Sequence, residues 1–182
     1  MGARRLLVLM GPSGCGKSTI GRIVADRVGV PFVEGDDFHP RENIRKMASG
    51  RALSDADREA WLDALLAVVR NHVSVRLILA CSALTPYVQG RLRAESGRAV
   101  TFVVLEVGRD ELLRRLEQRD RHFMPASLAD SQLAALEVPG DAHRVKAQDD
   151  PRAIVHRLAE LLEHCCDGEH DAEAGQADEG RG

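Results

Sequence analysis

Short apolar runs alternate along the chain with longer segments in which apolar residues recur every three or four positions. The runs lie at residues 6–10, 30–33, 75–80 and 101–107, with a weaker fifth at 143–147. The first four are rich in aliphatic residues and do not alternate between apolar and polar positions, which predicts strands buried on both faces. Their alternation with helical segments predicts an α/β domain with a five-stranded parallel sheet and helices on both faces.

The segments between the runs carry the apolar stripes of amphipathic helices. Ser54, followed by Asp57 three residues later, predicts the start of one helix through a variant of the capping box. Thr85 and Asp150 each precede a proline, and this pairing of N-cap residue and proline predicts two further helix starts. The stripes are Ile20, Ile23, Val24 and Val28; Trp61, Leu65, Val68 and Val69; Leu112, Leu113 and Leu116; and Ile154, Leu158, Leu161 and Leu162.

The stretch GPSGCGKST joins the first predicted strand to the first predicted helix and satisfies the Walker A (P-loop) pattern G-x-x-x-x-G-K-[ST]. Glycines let the backbone N–H groups face phosphate oxygens, while Lys17 would contact the β- and γ-phosphates and Ser18 would bind Mg²⁺. The loop therefore predicts a bound nucleotide and Mg²⁺, and leaves kinases, GTPases, motor ATPases and sensors open. The predicted nucleotide-binding residues are Gly11, Pro12, Ser13, Gly14, Cys15, Gly16, Lys17, Ser18 and Thr19.

Two absent motifs narrow the class of nucleotide-binding protein. The guanine signature N-K-x-D does not occur, which argues against a GTPase. The run LILACSAL has no acidic residue at the position of a Walker B aspartate, which argues against the large ATPases. Small-molecule kinases remain, in which a short chain closes a lid over the reaction.

Residues 33–62, VEGDDFHPRENIRKMASGRALSDADREAWL, supply the candidates for the acceptor site. Asp36 follows a predicted strand and would face the crevice at the carboxyl edge of a parallel sheet, where such folds bind ligands. Asp37, Glu42 and Glu59 are expected to be solvated surface groups. The ordered set of His39-Pro40, Asn43, Lys46-Met47, Gly50 and Asp57-Arg58 is too specific for a loop of solvated charges.

The motifs of this chain resemble, in order and spacing, those of the gluconokinases, P-loop small-molecule kinases related to shikimate kinase. The resemblance rests on GDDFHPRENIRKMASG, DADREAW, CSAL at 81–84, Arg115, Arg119, HFM at 122–124 and SQLAALEVP at 131–139. It covers roughly residues 5–160 with few gaps, and shikimate kinases lack the run with His-Pro, Asn, Lys-Met and Gly. It implies a three-layer P-loop kinase fold with a small lid.

The resemblance also implies transfer of the γ-phosphate of ATP to the 6-hydroxyl of D-gluconate, giving 6-phospho-D-gluconate. Phosphoryl transfer depends mainly on positioning and charge stabilisation. We expect Lys17 to be catalytic, and Asp36 to accept or orient the proton of the acceptor hydroxyl. The candidate contacts to gluconate, a carboxylate with several hydroxyls, are Asp36, His39, Asn43, Lys46 and Arg58. For His39, a structural role at a helix entry beside Pro40 is the alternative.

Two arginines are predicted to act on the transferring phosphate. Arg115 and Arg119 lie four residues apart on one face of a predicted helix, which leads into a lid at about residues 119–137. There they would meet the γ-phosphate as charge develops, which makes both candidate catalytic residues. Arg114 and Arg121 fit surface arginines instead.

The segment after CSAL departs from the family pattern. Gln89 and Gly90 stand where the family has arginine and aspartate, and Arg91 or Arg93 is a candidate substitute from the same helix. Prolines of the pattern are Ala52 and Ala60 here, and an aspartate near the last strand is Ala147. Alternatives therefore stay open: a kinase of another small acceptor, such as shikimate, a nucleoside monophosphate or another sugar acid, or a nucleotide-binding regulator without catalysis.

Composition and charge indicate the domain boundary, the classes of partner and the cellular location. Residues 165–182 hold six acids against one arginine and no large apolar residue, so we expect a kinase domain at 1–164 followed by an acidic disordered tail. The near-neutral remainder does not indicate nucleic-acid binding, and no apolar run approaches the ~20 residues of a membrane span. Four cysteines without paired spacing favour a cytoplasmic location. The family resemblance suggests a homodimer.

Overall fold

The computed structural model describes residues 3–118 and 128–164, and within them a five-stranded parallel sheet. The strands follow the order β2-β3-β1-β4-β5, and every neighbouring pair is parallel. All five predicted strands are confirmed, with ends shifted by one or two residues. They are Arg5–Met10 (β1), Phe32–Glu34 (β2), Arg76–Ala80 (β3), Ala99–Glu106 (β4) and His143–Lys146 (β5).

Helices connect the strands within the described ranges. They are Lys17–Val28 (α1), Arg41–Ala48 (α2), Asp55–Asn71 (α3), Pro86–Glu95 (α4), Arg109–Glu117 (α5), Ala129–Ala135 (α6) and Pro151–His164 (α7), with a 3₁₀ turn at Gly35–Phe38. The four predicted apolar stripes lie in α1, α3, α5 and α7. The stripes did not identify α2 and α6, because helices of eight and seven residues are too short to repeat an apolar face.

Side-chain caps begin three of these helices where the sequence predicted them. Ser54 Oγ accepts from the Asp57 N–H at 3.3 Å, and the Asp57 carboxylate accepts from the Ser54 N–H at 2.7 Å, which completes a capping box. Thr85 Oγ1 accepts from the Val88 N–H at 3.5 Å at the start of α4. Asp150 Oδ1 accepts from the Arg152 N–H at 3.0 Å at the start of α7.

The sheet has a hydrophobic layer on each face, as the prediction of three layers requires. Along β1, Leu6, Val8 and Met10 face one side, where they pack with buried residues of α3 and α4. Leu7 and Leu9 face the other side, where they pack with residues of α1 and α7. Residues 6–10 are each at most 2% exposed, so all of β1 except Arg5 is buried at the centre of the sheet. The α/β three-layer fold is therefore confirmed.

The strand order reverses at β1, which lies between β3 and β4. In open parallel sheets such a reversal opens a crevice at the carboxyl ends of the strands, where ligands bind. The segments that leave β1, β2 and β3 are the glycine loop, the 3₁₀ turn and residues 81–85. All three therefore meet at one edge of the sheet.

Some predictions fall on other parts of the chain. The predicted lid at about 119–137 lies partly outside the described residues, and the predicted tail at 165–182 lies wholly outside them. Where the chain is described, its helices lack the length and apolar character needed to cross a bilayer.

Candidate active site

The glycine loop between β1 and α1 has the backbone of a phosphate cradle. Gly11, Gly14 and Gly16 have φ values of 134°, 91° and 110°, a region that side chains with a Cβ rarely enter. A Cβ on Gly14 would also lie 3.0 Å from a methyl group of Leu116 in α5. The loop is thus fixed both by its own backbone and by a helix that packs directly against it.

Lys17 places its ammonium inside this loop. The side chain is 8% exposed, and Nζ donates to the carbonyl oxygens of Gly11 and Pro12, both at 2.9 Å. A phosphate chain fits here, because its oxygens can take the place of the two carbonyls as partners of a buried cation. Ser18 follows in the first turn of α1, where helix N–H groups favour an anion.

The same loop is the place where Mg²⁺ would be held. Within the two described stretches, no three His, Cys, Asp or Glu side chains lie close enough together to bind a metal. Mg²⁺ in phosphate sites commonly takes one or two protein ligands and completes its shell with phosphate oxygens and water. The Ser18 hydroxyl suits that arrangement.

The 3₁₀ turn after β2 carries Asp36 to the crevice. Trp61 Nε1 donates to the Gly35 carbonyl at 2.8 Å and holds the turn against α3. Burial, with a smaller contribution from the charge of Asp36, raises the pKa of the Cys81 thiol to about 12, while a backbone hydrogen bond of Ala83 and the charge of Lys17 oppose the rise. Both charges therefore lie within electrostatic reach of the same buried thiol at the end of β3. The structure thus places two of the four predicted catalytic residues, Lys17 and Asp36, within electrostatic reach of one buried group.

Gly35→Ala is expected to lower the stability of the fold, because a Cβ at this position would lie 2.6 Å from the Ala80 carbonyl oxygen. Backbone cannot move aside cheaply, so we expect a loss of about 1–3 kcal/mol in the free energy of unfolding, measured by urea denaturation. Gly90→Ala is the control: Gly90 is exposed in α4, an added Cβ would meet no atom within 4 Å, and alanine should be neutral or stabilising there. Equal stabilities of the two variants would contradict the steric argument.

A cleft beside the turn, here the acceptor cleft, is lined by residues of α3, α6 and the loops after β2 and β3. Its lining includes His39, Arg58, Trp61, Ser82, Ser131 and Gln132. The His39 ring stacks on Trp61, with ring centroids 4.7 Å apart and planes at 12°. Burial lowers the pKa of His39, the Asp36 charge opposes this, and the Arg58 charge adds to it. The imidazole is therefore neutral at pH 7, which leaves Arg58 as a cation of the cleft.

Asn43 and Lys46, two of the predicted acceptor contacts, are engaged elsewhere. The Asn43 side-chain amide donates to the Asp57 carbonyl at 2.7 Å, and the Lys46 ammonium pairs with the Asp57 carboxylate. The Lys46 partner, followed by Ser54, holds the pKa of Asp57 well below its usual range. These bonds join α2 to the start of α3, and the cleft lining does not include either residue. Direct contact of Asn43 and Lys46 with an acceptor stays a prediction.

Arg115 lies against the outer side of the phosphate loop. Its guanidinium donates to the carbonyls of Cys15 and Ala147, both at 3.2 Å, and to Glu111 at 2.6 Å. Glu111 also binds Arg114, and these two arginines, Arg114 first, lower its pKa to about 2. Arg119, which is predicted to act together with Arg115, lies outside the described residues. Action of either arginine on a γ-phosphate stays a prediction.

A second cavity, here the nucleotide cavity, opens beside Arg115. It has a volume of about 350 Å³ and borders the loop at Gly16. Its wall also contains Thr19, Ile20, Arg115, Gln118, Ala147 and Pro151. A flat heterocycle could lie here with its phosphates directed into the loop, because guanidinium groups stack well on aromatic faces. The position of the departure Ala147 in this wall puts it on the nucleotide side, away from the acceptor cleft.

The departure after CSAL is accommodated by a buried amide. Gln89 Nε2 donates to the carbonyls of Ala83 at 2.9 Å and Glu137 at 2.7 Å. Ala83 has φ 43°, so this bond supports a backbone conformation that is unfavourable for alanine. Arg91 pairs with Asp63 and Glu95, and Arg93 pairs with Asp141. The lining of the acceptor cleft includes neither arginine, and a substitute role of either for the family arginine stays a prediction.

Sequence reasoning assigns no role to Trp61, Ser82 or Gln132, although each lies at the site. The sequence indicates Trp61 only as a core position, and Ser82 and Gln132 only as letters in matching motifs. The sequence contains one signal for Gln132. The segment SQLAALEVP matches the family pattern, although it belongs to no predicted strand or apolar stripe.

Comparisons with known proteins identify similar kinases by family profile, by sequence and by structure. A family profile described as shikimate kinase matches residues 13–161. A gluconokinase of Gluconobacter oxydans is 42% identical over 88% of this chain and 90% of its own length, and the thermosensitive gluconokinase of Escherichia coli is 39% identical over 87% and 83%. The crystal structure of a gluconokinase from Sinorhizobium meliloti has a TM-score of 0.77 at 35% identity, covering 93% of this chain and 100% of that one.

Proposed function

This chain belongs to the shikimate kinase family and, within it, to the gluconokinases, and we propose that it transfers the γ-phosphate of ATP to the 6-hydroxyl of D-gluconate. The product is 6-phospho-D-gluconate. The observation that carries the proposal is the contact between the phosphate loop and the acceptor cleft: the Gly11 N–H donates at 3.1 Å to the carbonyl of Ser82, which lines the cleft. The identity of the acceptor, gluconate, is inferred from the relatives, which are gluconokinases.

The nucleotide side of the reaction is assigned to the glycine loop and the nucleotide cavity. The N–H groups of the loop and the Lys17 ammonium bind the phosphates, and Arg115 and Pro151 enclose the base. Mg²⁺, when bound through Ser18, neutralises charge on the β- and γ-phosphates. Lys17 acts in a buried position, where its attraction for developing charge is stronger than in water.

The acceptor side is assigned to Asp36 and the acceptor cleft. Arg58 is 17% exposed in its side chain and supplies the cation for the carboxylate of gluconate. His39, kept neutral by burial, can exchange hydrogen bonds with hydroxyl groups. Asp36 orients the 6-hydroxyl and takes its proton as the oxygen attacks the γ-phosphorus. Lys46 and Asn43 support this side by holding α2 to α3.

A coupled ADP-release assay over gluconate, shikimate, other sugar acids and AMP tests the assignment. Gluconate is expected to give the highest kcat/KM, and mass spectrometry should find the phosphate on O6. Faster turnover of another acid would identify that acid as the acceptor, without changing the proposed kinase mechanism. Tight ATP binding without turnover of any acceptor would instead indicate a nucleotide-binding regulator.

Arg115→Ala is expected to raise the KM for ATP roughly 3- to 30-fold, through loss of a cation stacked on the base. Its contacts with Cys15 and Ala147 lie on the nucleotide side, so the KM for gluconate should change little. Arg114→Ala is the matched control, because Arg114 binds the same Glu111 but does not line the nucleotide cavity. A defect confined to kcat would indicate that Arg115 acts on the γ-phosphate instead. Equal defects in Arg115→Ala and Arg114→Ala would indicate that the helix contributes only general positive charge.

The setting of the enzyme completes the proposal. We place the reaction in the cytoplasm, where Cys15 and Cys81, both free and buried in the described part of the chain, stay reduced. A small lid at about 119–137 closes over the crevice, residues 165–182 form a separate acidic tail, and two copies form a homodimer. Size-exclusion chromatography with light scattering measures the last of these directly.

A further inference from the structure

The phosphate loop is tied to α6 by a hydrogen bond that spans 119 residues of sequence. The backbone N–H of Ser13 donates to Gln132 Oε1 at 2.7 Å. Ser13 is only 8% exposed and Gln132 is half-buried, so water has limited access to the bond. Gln132 also lines the acceptor cleft, beside His39 and Arg58. One side chain therefore touches both halves of the proposed site.

The position of Gln132 is fixed by contacts on both sides of it. Ahead of it on α6, Asp130 accepts from Arg109 at 2.6 and 2.9 Å. Just beyond α6, the Glu137 N–H donates to the Leu84 carbonyl at 2.9 Å, and its carbonyl accepts from Gln89. Because α6 is anchored at both ends, the reach of Gln132 to Ser13 depends on its own rotamer.

The backbone N–H groups of such a loop are the donors that bind phosphate oxygens. Here the Ser13 donor has a carboxamide oxygen as its partner, and the Lys17 ammonium has two carbonyl oxygens. These neutral oxygens lie where phosphate oxygens would make stronger, charge-assisted bonds. A nucleotide phosphate in the loop would therefore compete with Gln132 for the Ser13 N–H.

We propose that Gln132 is a positioning residue that couples the two substrates: phosphate binding at Ser13 releases its carboxamide, which then turns into the acceptor cleft and binds an acceptor hydroxyl. The proposal rests on the proposed function for the identity of the acceptor, but not for the exchange at Ser13. Binding of nucleotide should then raise the affinity for gluconate, and reciprocally.

Two variants of opposite character test the exchange through the affinity for a non-hydrolysable ATP analogue, measured by calorimetry without acceptor. Gln132→Leu keeps the bulk but removes the competing oxygen, so it should tighten analogue binding about three- to tenfold. Gln132→Glu keeps the oxygen and adds a negative charge beside the phosphates, so it should weaken binding by a similar or larger factor. Ser131→Ala is the control, since Ser131 lines the same cleft but, among the described residues, its hydroxyl donates to Leu128 on its own segment and not to the phosphate loop.

A second measurement tests the coupling. In the wild-type chain the analogue should raise the affinity for gluconate about three- to tenfold, and in Gln132→Leu this ratio should fall to about one. Shifts of analogue affinity in the same direction in Gln132→Leu and Gln132→Glu, or equal shifts in Ser131→Ala, would overturn the exchange. A wild-type ratio of one would overturn the coupling.

The two measurements also separate this proposal from the proposed function. The analogue measurement needs no acceptor, so opposite shifts support the exchange even if gluconate is not the substrate. Urea denaturation of each variant supplies the structural check. A Gln132→Leu variant that loses stability and binds analogue as the wild type does would show that Gln132 only supports the fold, which also overturns the proposal.

Discussion

Lys17→Ala is expected to abolish phosphoryl transfer from ATP while the chain keeps its fold. The Lys17 ammonium contacts only the Gly11 and Pro12 carbonyls and, at 4.0 Å, the Cys15 sulfur, so its described partners all belong to the phosphate loop. Removal of a preorganised cation from the transferring group typically costs a factor of about 100 to 1000 in kcat. Initial rates of ADP release with gluconate, at saturating ATP, measure the loss.

The matched control is Lys146→Ala. Lys146 is exposed at the end of β5 and carries the same charge, so its loss tests whether net charge alone matters. We expect near wild-type turnover from this variant, and circular dichroism spectra of both variants should match that of the wild type. Turnover of Lys17→Ala within tenfold of the wild-type value would contradict the assignment of the loop as a catalytic phosphate cradle.

Much of the fold could be predicted because its signals are local. A buried parallel strand such as β1 is a continuous apolar run, and a cap such as Ser54 with Asp57 needs only residues three positions apart. The glycine loop combines both kinds of signal. In contrast, α2 and α6 are too short to repeat an apolar face, and contacts with other segments hold them in place, such as the bond from Asn43 in α2 to Asp57. Local pattern carries no record of such contacts.

In the candidate site too, local sequence signals could be predicted and tertiary contacts could not. The sequence identified residue types and placed Lys17 and Asp36 at strand ends, where parallel topology brings them together. It could not tell that Lys46 would pair with Asp57, because that depends on the orientation of α2 to α3. Nor could it tell that Arg115 would bind the Cys15 carbonyl from the outer side of the loop. These outcomes are set by tertiary packing, over distances that a motif does not encode.

Asp36→Asn is expected to lower kcat far more than it weakens ATP binding. The substitution keeps size and hydrogen-bonding shape but removes the charge that would take the hydroxyl proton, and loss of a general base typically costs a factor of about 100 to 10,000. Asp36 lies on the acceptor side, with His39 Nε2 3.9 Å from its carboxylate. The affinity for a non-hydrolysable ATP analogue, measured without gluconate, should therefore change by less than about twofold.

Asp37→Asn provides the control for this prediction, because Asp37 occupies the same 3₁₀ turn and is exposed. It removes the same charge one residue away and should leave kcat nearly unchanged. Equal defects in both variants would show that the turn contributes only negative potential. If the affinity of Asp36→Asn for the analogue fell together with kcat, Asp36 would act through the nucleotide and its metal ion. A fall in kcat alone supports the acceptor-side assignment, because an interaction made only in the transition state can be lost without cost to nucleotide binding.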